Sequence, residues 1–165
     1  MEIMLYNIYK ISVTIAYFLV SLLTPSTVYV PDLDIEVGVT DCTDAETQYY
    51  VDAPNVAAGW SYYDYSDTWP NTYDDTYIIA DHNYQAFANL HNAQPGMQLF
   101  YKGNIFICNS ISKAYAYYKD GLPSLYYSNG SPALYGQDLV LYTCTGTGNE
   151  RWVTTWQNTT TPRSS

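Results

Sequence analysis

Between Leu33 and Val39 every second residue is a branched apolar one: Leu33, Ile35, Val37 and Val39, with Asp34, Glu36 and Gly38 between them. A repeat of two fits a β-strand with one buried face and does not fit a helix. The same pattern of short apolar runs recurs down the chain. Val28-Tyr-Val30 precedes a break at Pro31-Asp32, and Tyr77-Ile-Ile-Ala80 predicts a buried strand. Residues 98–101 and 104–108 predict a hairpin around Lys102-Gly103, after a turn at Pro95-Gly96. Segments 114–118, 139–143 and 152–156 predict three more strands. Residues 84–91 carry a short helical pattern, with Phe87 and Leu90 on one side. Residues 40–47, 49–60, 62–75 and 119–137 are expected as turns and loops, the second with short extended pieces. Many short strands with frequent turns and little helix predict a mainly β domain, closed as a barrel or packed as a sandwich.

Of the 165 residues, 47% are hydrophobic and 17% aromatic, including 20 tyrosines, so one domain with a real core is expected. The formal net charge is −10. Eleven acids lie between Asp32 and Asp75, and no Lys or Arg occurs between Lys10 and Lys102. Such a surface argues against nucleic acid as a partner, because phosphate recognition needs cations. A solvated acidic face is the simplest account. Asp64, Asp67, Asp74 and Asp75 are conceivable calcium ligands, but their spacing matches no EF-hand loop. No C-x-x-C or H-E-x-x-H pattern is present, so no zinc is expected. No cofactor is expected either.

Residues 3–23 are mostly apolar, interrupted by Asn7 and Lys10, and densest from Ile11 to Leu23. Residues 1–27 therefore read as a signal anchor or a signal peptide, a hydrophobic helix placing the rest outside the cytoplasm. No A-x-A cleavage site follows, which favours the anchor. Residues 28–157 form the expected barrel domain, and 158–165 a polar C-terminal tail.

Reactive side chains are scarce: two His, three Cys and two Arg in the whole chain. His82 ends the run Tyr77-Ile-Ile-Ala-Asp-His82, Cys144 ends Leu139-Val-Leu-Tyr-Thr-Cys144, and Arg151 opens Arg151-Trp-Val-Thr-Thr-Trp156. A thiol, an imidazole and a guanidinium at strand ends supply a nucleophile, a proton shuttle and an oxyanion donor. Arg stays charged and donates in a rigid fork, which suits an oxyanion. Thr143, just before the thiol, has a hydroxyl for the substrate or for its own strand. Asp81 has a carboxylate for orienting His82 or for a substrate cation. Cys42 and Cys108 either pair with each other, leaving Cys144 free, or stay as small buried thiols.

The ordered set resembles the sortases, the membrane-anchored cysteine transpeptidases of bacterial cell envelopes. Tyr29-Val-Pro-Asp-Leu-Asp-Ile-Glu-Val37 is similar to the family's opening strand. Ile78-Ile-Ala-Asp-His-Asn83 resembles its histidine motif, and Leu141-Tyr-Thr-Cys144 its cysteine motif. Arg151 starts the last strand, where the family places its arginine. Many members carry Gly where Asp81 stands, and the seven-residue step from Cys144 to Arg151 is short. The resemblance implies a single closed β-barrel of about eight strands with one or two short helices. It implies His82, Cys144 and Arg151 as catalytic residues and Thr143 as a substrate contact. The implied substrate is a peptide sorting signal, typically of the Leu-Pro-x-Thr-Gly kind. The implied acceptor is an amine, from a peptidoglycan precursor or a pilin lysine. The implied place is the cell membrane, single-pass, with the catalytic domain outside. Two other readings stay open: a cysteine peptidase that uses the same residues and transfers to water, and a non-catalytic envelope binding domain whose cysteines are structural.

Overall fold

The computed structural model describes residues 2–43, 46–64, 72–119 and 122–160. Helix α1 (Glu2–Leu23) leads into strands β1 (Thr27–Val30) and β2 (Ile35–Asp41), joined by a 3-10 turn at Pro31–Leu33. A short helix, α2 (Thr47–Val51), precedes β3 (Val56–Asp64) and β4 (Thr72–Ala80). A 3-10 segment (Ala86–Asn92) connects β4 to β5 (Gln98–Tyr101) and the long β6 (Asn104–Lys119). The chain ends in β7 (Leu122–Tyr126), β8 (Leu139–Cys144) and β9 (Glu150–Asn158).

The strands lie side by side in the order β5-β1-β2-β3-β4-β8-β9-β6-β7, and β5 also pairs with β6. Eight strands thus close into a barrel, which leaves no long free edge. β7 lies outside the ring. Residues 104–107 of β6 pair with β5, and residues 115–119 pair with β7. Two neighbouring pairs, β2–β3 and β4–β8, run parallel. The second brings the C-terminal ends of β4 and β8 to the same rim.

The alternation from Leu33 to Val39 does what its period demands. Those four residues point into the barrel with Val28, Ile79, Leu139, Leu141 and Trp156. A second apolar cluster lies on the outer face of one side: Trp60, Ile78, Ala80, Ala114, Val140 and Val153, under Leu125 and Leu134. β4 and β8 are therefore buried on both faces, and such strands read as unbroken apolar runs rather than alternation.

Several local expectations change. Segment 49–60 is not a loop: α2 ends at Val51, and Val56 begins a strand inserted between β2 and β4. Gly59 in that strand is required by packing, since a Cβ there would meet Val39 Cγ1 at 2.6 Å and collide with the Tyr77 hydroxyl. The expected 62–75 loop is strand at both ends, as β3 runs to Asp64 and β4 starts at Thr72, and residues 65–71 lie outside the described residues. Segments 104–108 and 114–118 are one strand, with a register shift between Cys108 and Ser110. A bulge of this kind lets one strand bend around a barrel without ending. Part of the 119–137 loop is β7. The expected helix at 84–91 is instead a 3-10 segment, Ala86–Asn92, with Phe87 and Leu90 buried as the pattern indicated. The Lys102-Gly103 hairpin has positive φ at both residues, +50° and +67°, the backbone that a tight two-residue turn needs.

The segment Ile3–Leu23 is a single helix, long and apolar enough to cross a membrane, with mean hydropathy 1.5. Its second half touches the barrel: Thr14 Oγ1 donates to Gln98 Oε1 at 2.7 Å, and Tyr17 stacks on Phe100 at 5.7 Å. Ile8, Ile11, Ile15 and Leu19 remain exposed.

None of the three cysteines is in a disulfide. The pairing of Cys42 with Cys108 does not form, because the barrel wall separates them. Cys108 lies in the interior cluster, while Cys42 packs against the outer one.

Candidate active site

Cys144 is the last residue of β8, and its direct cross-strand partner in β9 is Arg151. Opposed residues of an antiparallel pair place their side chains on the same face, with Cβ atoms about 5 Å apart. The short step between them is possible because Gly146 and Gly148 both adopt positive φ, +90° and +53°. Arg151 Nη1 donates to Glu150 O at 2.9 Å and to Gly148 O at 3.2 Å, so the guanidinium is anchored to its own turn. Thiol and guanidinium are both half-buried.

His82 comes from the neighbouring strand. Ala80 of β4 pairs in parallel with Tyr142 of β8, so His82 and Cys144 each stand two residues beyond a matched pair. Asn83 lies against the Cys–Arg turn, its Nδ2 3.7 Å from where a Cβ on Gly146 would sit. The histidine itself is tightly held. Its Nε2 lies 2.7 Å from Asp52 Oδ1, and its ring stacks on Tyr84 at 4.6 Å with an interplanar angle of 14°.

Asp81 plays a part different from orienting the ring. Its Oδ1 accepts the His82 backbone N–H at 2.7 Å, and its Oδ2 accepts Ala86 N–H at 3.1 Å. One carboxylate thus shapes the turn on which His82 stands. Thr143 points into the barrel, 1% exposed, and its Oγ1 donates to Asp81 O at 2.8 Å. That hydroxyl clamps β8 to the histidine turn from the interior side of the strand. Strand alternation is the reason: Cys144 and Thr143 point to opposite sides of β8.

Thr143→Val keeps the volume and removes the clamp. It is expected to cost roughly 1–3 kcal/mol, read from a denaturant midpoint, by leaving a buried carbonyl without its donor.

Asp52 and Tyr84 were not legible as site residues. Asp52 lies 30 positions before His82, and only the fold brings them together. Of the conceivable calcium ligands, Asp67 lies outside the described residues, as do the side chains of Asp64 and Asp74; Asp75 is exposed. No group of three His, Cys, Asp or Glu suited to a metal occurs among the described residues.

No family model matches the chain, and no curated protein sequence does. Solved structures do match. Sortase A of Listeria monocytogenes superposes with a TM-score of 0.54 at 12% identity, over 86% of this chain and 91% of that one. The fold is that of the sortases. A Clostridium perfringens sortase D5 transpeptidase aligns with a TM-score of 0.53 at 13% identity, over 80% of this chain and 76% of that one. Streptomyces coelicolor sortase E1, solved with a tripeptide in its active site, gives 0.50 at 17%, over 80% and 85%. These neighbours span several sortase types, so the likeness concerns the common barrel rather than one subclass.

Within this sortase-like barrel, burial pushes the Asp81 carboxyl up from its ordinary 3.8 to about 6, against its two backbone hydrogen bonds. The folded protein therefore binds more protons than the unfolded chain between those two values. Stability then falls as pH rises from about 4 to about 6, by on the order of 2–3 kcal/mol at most. Asp81→Asn cannot ionise and keeps one acceptor oxygen. Its denaturant midpoint is expected to lose this slope, while the wild type keeps it.

Proposed function

We propose that this chain is a membrane-anchored cysteine transpeptidase that cuts a peptide sorting signal and joins it to an amine outside the cytoplasmic membrane. The observation that carries the reading is the cross-strand pairing of Cys144 with Arg151 beside the parallel strand that leads into His82. The sortase-like fold supports it as context.

In this mechanism the Cys144 thiolate attacks the carbonyl before the scissile bond of a Leu-Pro-x-Thr-Gly-like segment. The C–S bond forms, and the carbonyl oxygen takes the negative charge within reach of the Arg151 guanidinium. Collapse breaks the C–N bond, His82 supplies a proton to the leaving amine, and a thioester remains on Cys144. An incoming amine, from a peptidoglycan precursor or a pilin lysine, gives its proton to His82 and displaces the sulfur. Asp81 and Thr143 serve as positioning residues for the histidine turn. Helix α1 is the single-pass anchor, with the barrel outside.

Incubation of the full chain in detergent with a fluorescent Leu-Pro-x-Thr-Gly peptide tests the reading. A thioester adduct by intact mass, resolved by an added amine into a ligated product, is the expected result. Release only to water would make the chain a peptidase. No adduct would leave the non-catalytic envelope domain as the better reading.

A further inference from the structure

Asp52 lies outside the three-residue machinery, yet it holds the histidine's ring. Its Oδ1 takes His82 Nε2 at 2.7 Å and Gln48 Nε2 at 2.9 Å. The backbone N–H of Asp52 closes the end of α2 on Gln48 O at 3.0 Å. The carboxylate therefore has a fixed seat, given by the last turn of a helix. The hydrogen bond from His82, and then that from Gln48, hold its carboxyl below the ordinary range. The imidazole is mostly buried, 14% exposed, whereas Asp52 sits at the rim, 58% exposed. Tyr84 covers one face of the ring, and Asp81 fixes the backbone beneath it. His82 is thus held at its edge, its face and its main chain.

The contact has a chemical consequence. A carboxylate only accepts hydrogen bonds, so the nitrogen facing it carries a hydrogen in both the neutral and the charged imidazole. The neutral ring is thereby held in the Nε2–H form. Proton gain and loss fall to Nδ1, which has no hydrogen-bond partner among the described residues.

We propose that Asp52 is a positioning residue: it fixes the His82 ring and its tautomer, and leaves Nδ1 to exchange the proton of the leaving and incoming amines. This deepens the transpeptidase reading and rests on it.

The test pairs a spectroscopic measurement with a kinetic one, on the full chain. The chain holds two histidines, so 15N-histidine labelling with a His91→Gln background leaves one imidazole to observe. The Nε2–H form is expected with Asp52 present, and a mixture of both tautomers in Asp52→Ala. In the transfer assay Asp52→Ala is expected to lose about 10-fold to 100-fold in kcat, part of what a well-placed acid–base supplies, with KM for the peptide little changed. Asp52→Glu should recover part of the loss. If Asp52→Ala fails to fold, Asp52→Asn replaces it. Asn donates as well as accepts, so the neutral ring can take either form in the same shape. An unchanged tautomer overturns the proposal. So does a changed tautomer with unchanged kcat, and so does a variant faster than wild type, which would make Asp52 a brake. A wild-type chain that forms no thioester fails differently: it sinks the transpeptidase reading, and this proposal with it.

Discussion

Cys144→Ala is expected to leave no peptide adduct on the protein and to lower transfer by about 10⁴-fold or more, the scale seen when a nucleophile is removed. Among the described residues, Cys144 supplies the thiol that is paired across the strands with Arg151. Stability should move by no more than about 0.5 kcal/mol, because the side chain is small, half-buried and at a strand end. Cys108 is the natural control. Burial inside the barrel pushes its thiol up to about 11, so it carries almost no thiolate near neutral pH. Cys108→Ala should keep adduct formation. Intact mass of both variants after exposure to peptide decides the matter: an adduct surviving on Cys144→Ala would place the nucleophile elsewhere.

Arg151→Ala should cost about 10²–10³-fold in kcat/KM, the effect of losing one well-aimed oxyanion donor, roughly 3–4 kcal/mol. Its structural cost should be smaller. The side chain holds two carbonyls of an exposed turn, worth about 1 kcal/mol together, since water can replace most of that. Arg151→Lys restores charge without the fork and should recover only part of the rate. Thermal midpoints measured beside kcat/KM separate the roles. A midpoint that collapses in proportion to activity would mean Arg151 is structural, and the oxyanion would need another donor.

The sequence carried the barrel well where one face of a strand is wet. Leu33 to Val39 could be read residue by residue. It carried less where burial is two-sided, because β4 and β8 show no alternation, only apolar runs of the right length. It failed for β3, whose Ala57-Ala-Gly59 core has weak strand preference and forms only because β2 and β4 flank it. For the site, residue type and strand-end placement identified His82, Cys144 and Arg151 as candidates. Thr143 and Asp81 stood in the right place, but which way each points depends on strand phase and on a turn that neighbouring residues do not specify. Asp52 carried no local signal at all. Its role depends on where α2 ends relative to β4, which is a property of the assembled barrel.

The parallel pairing of β4 with β8 bears on how the site arises during folding. The clamp from Thr143 to Asp81 spans 62 positions, and the Asp52–His82 bond spans 30. Only Cys144 and Arg151 meet through a local hairpin. Contacts of such wide separation pay their loop-closure entropy before they return any stability, so they belong to the late, slow part of assembly. A half-folded chain would carry its thiol and guanidinium already side by side, but no histidine beside them. In the proposed mechanism the thiol would thus lack its proton carrier until the whole barrel has closed, a safeguard against acylation by an incompletely folded chain.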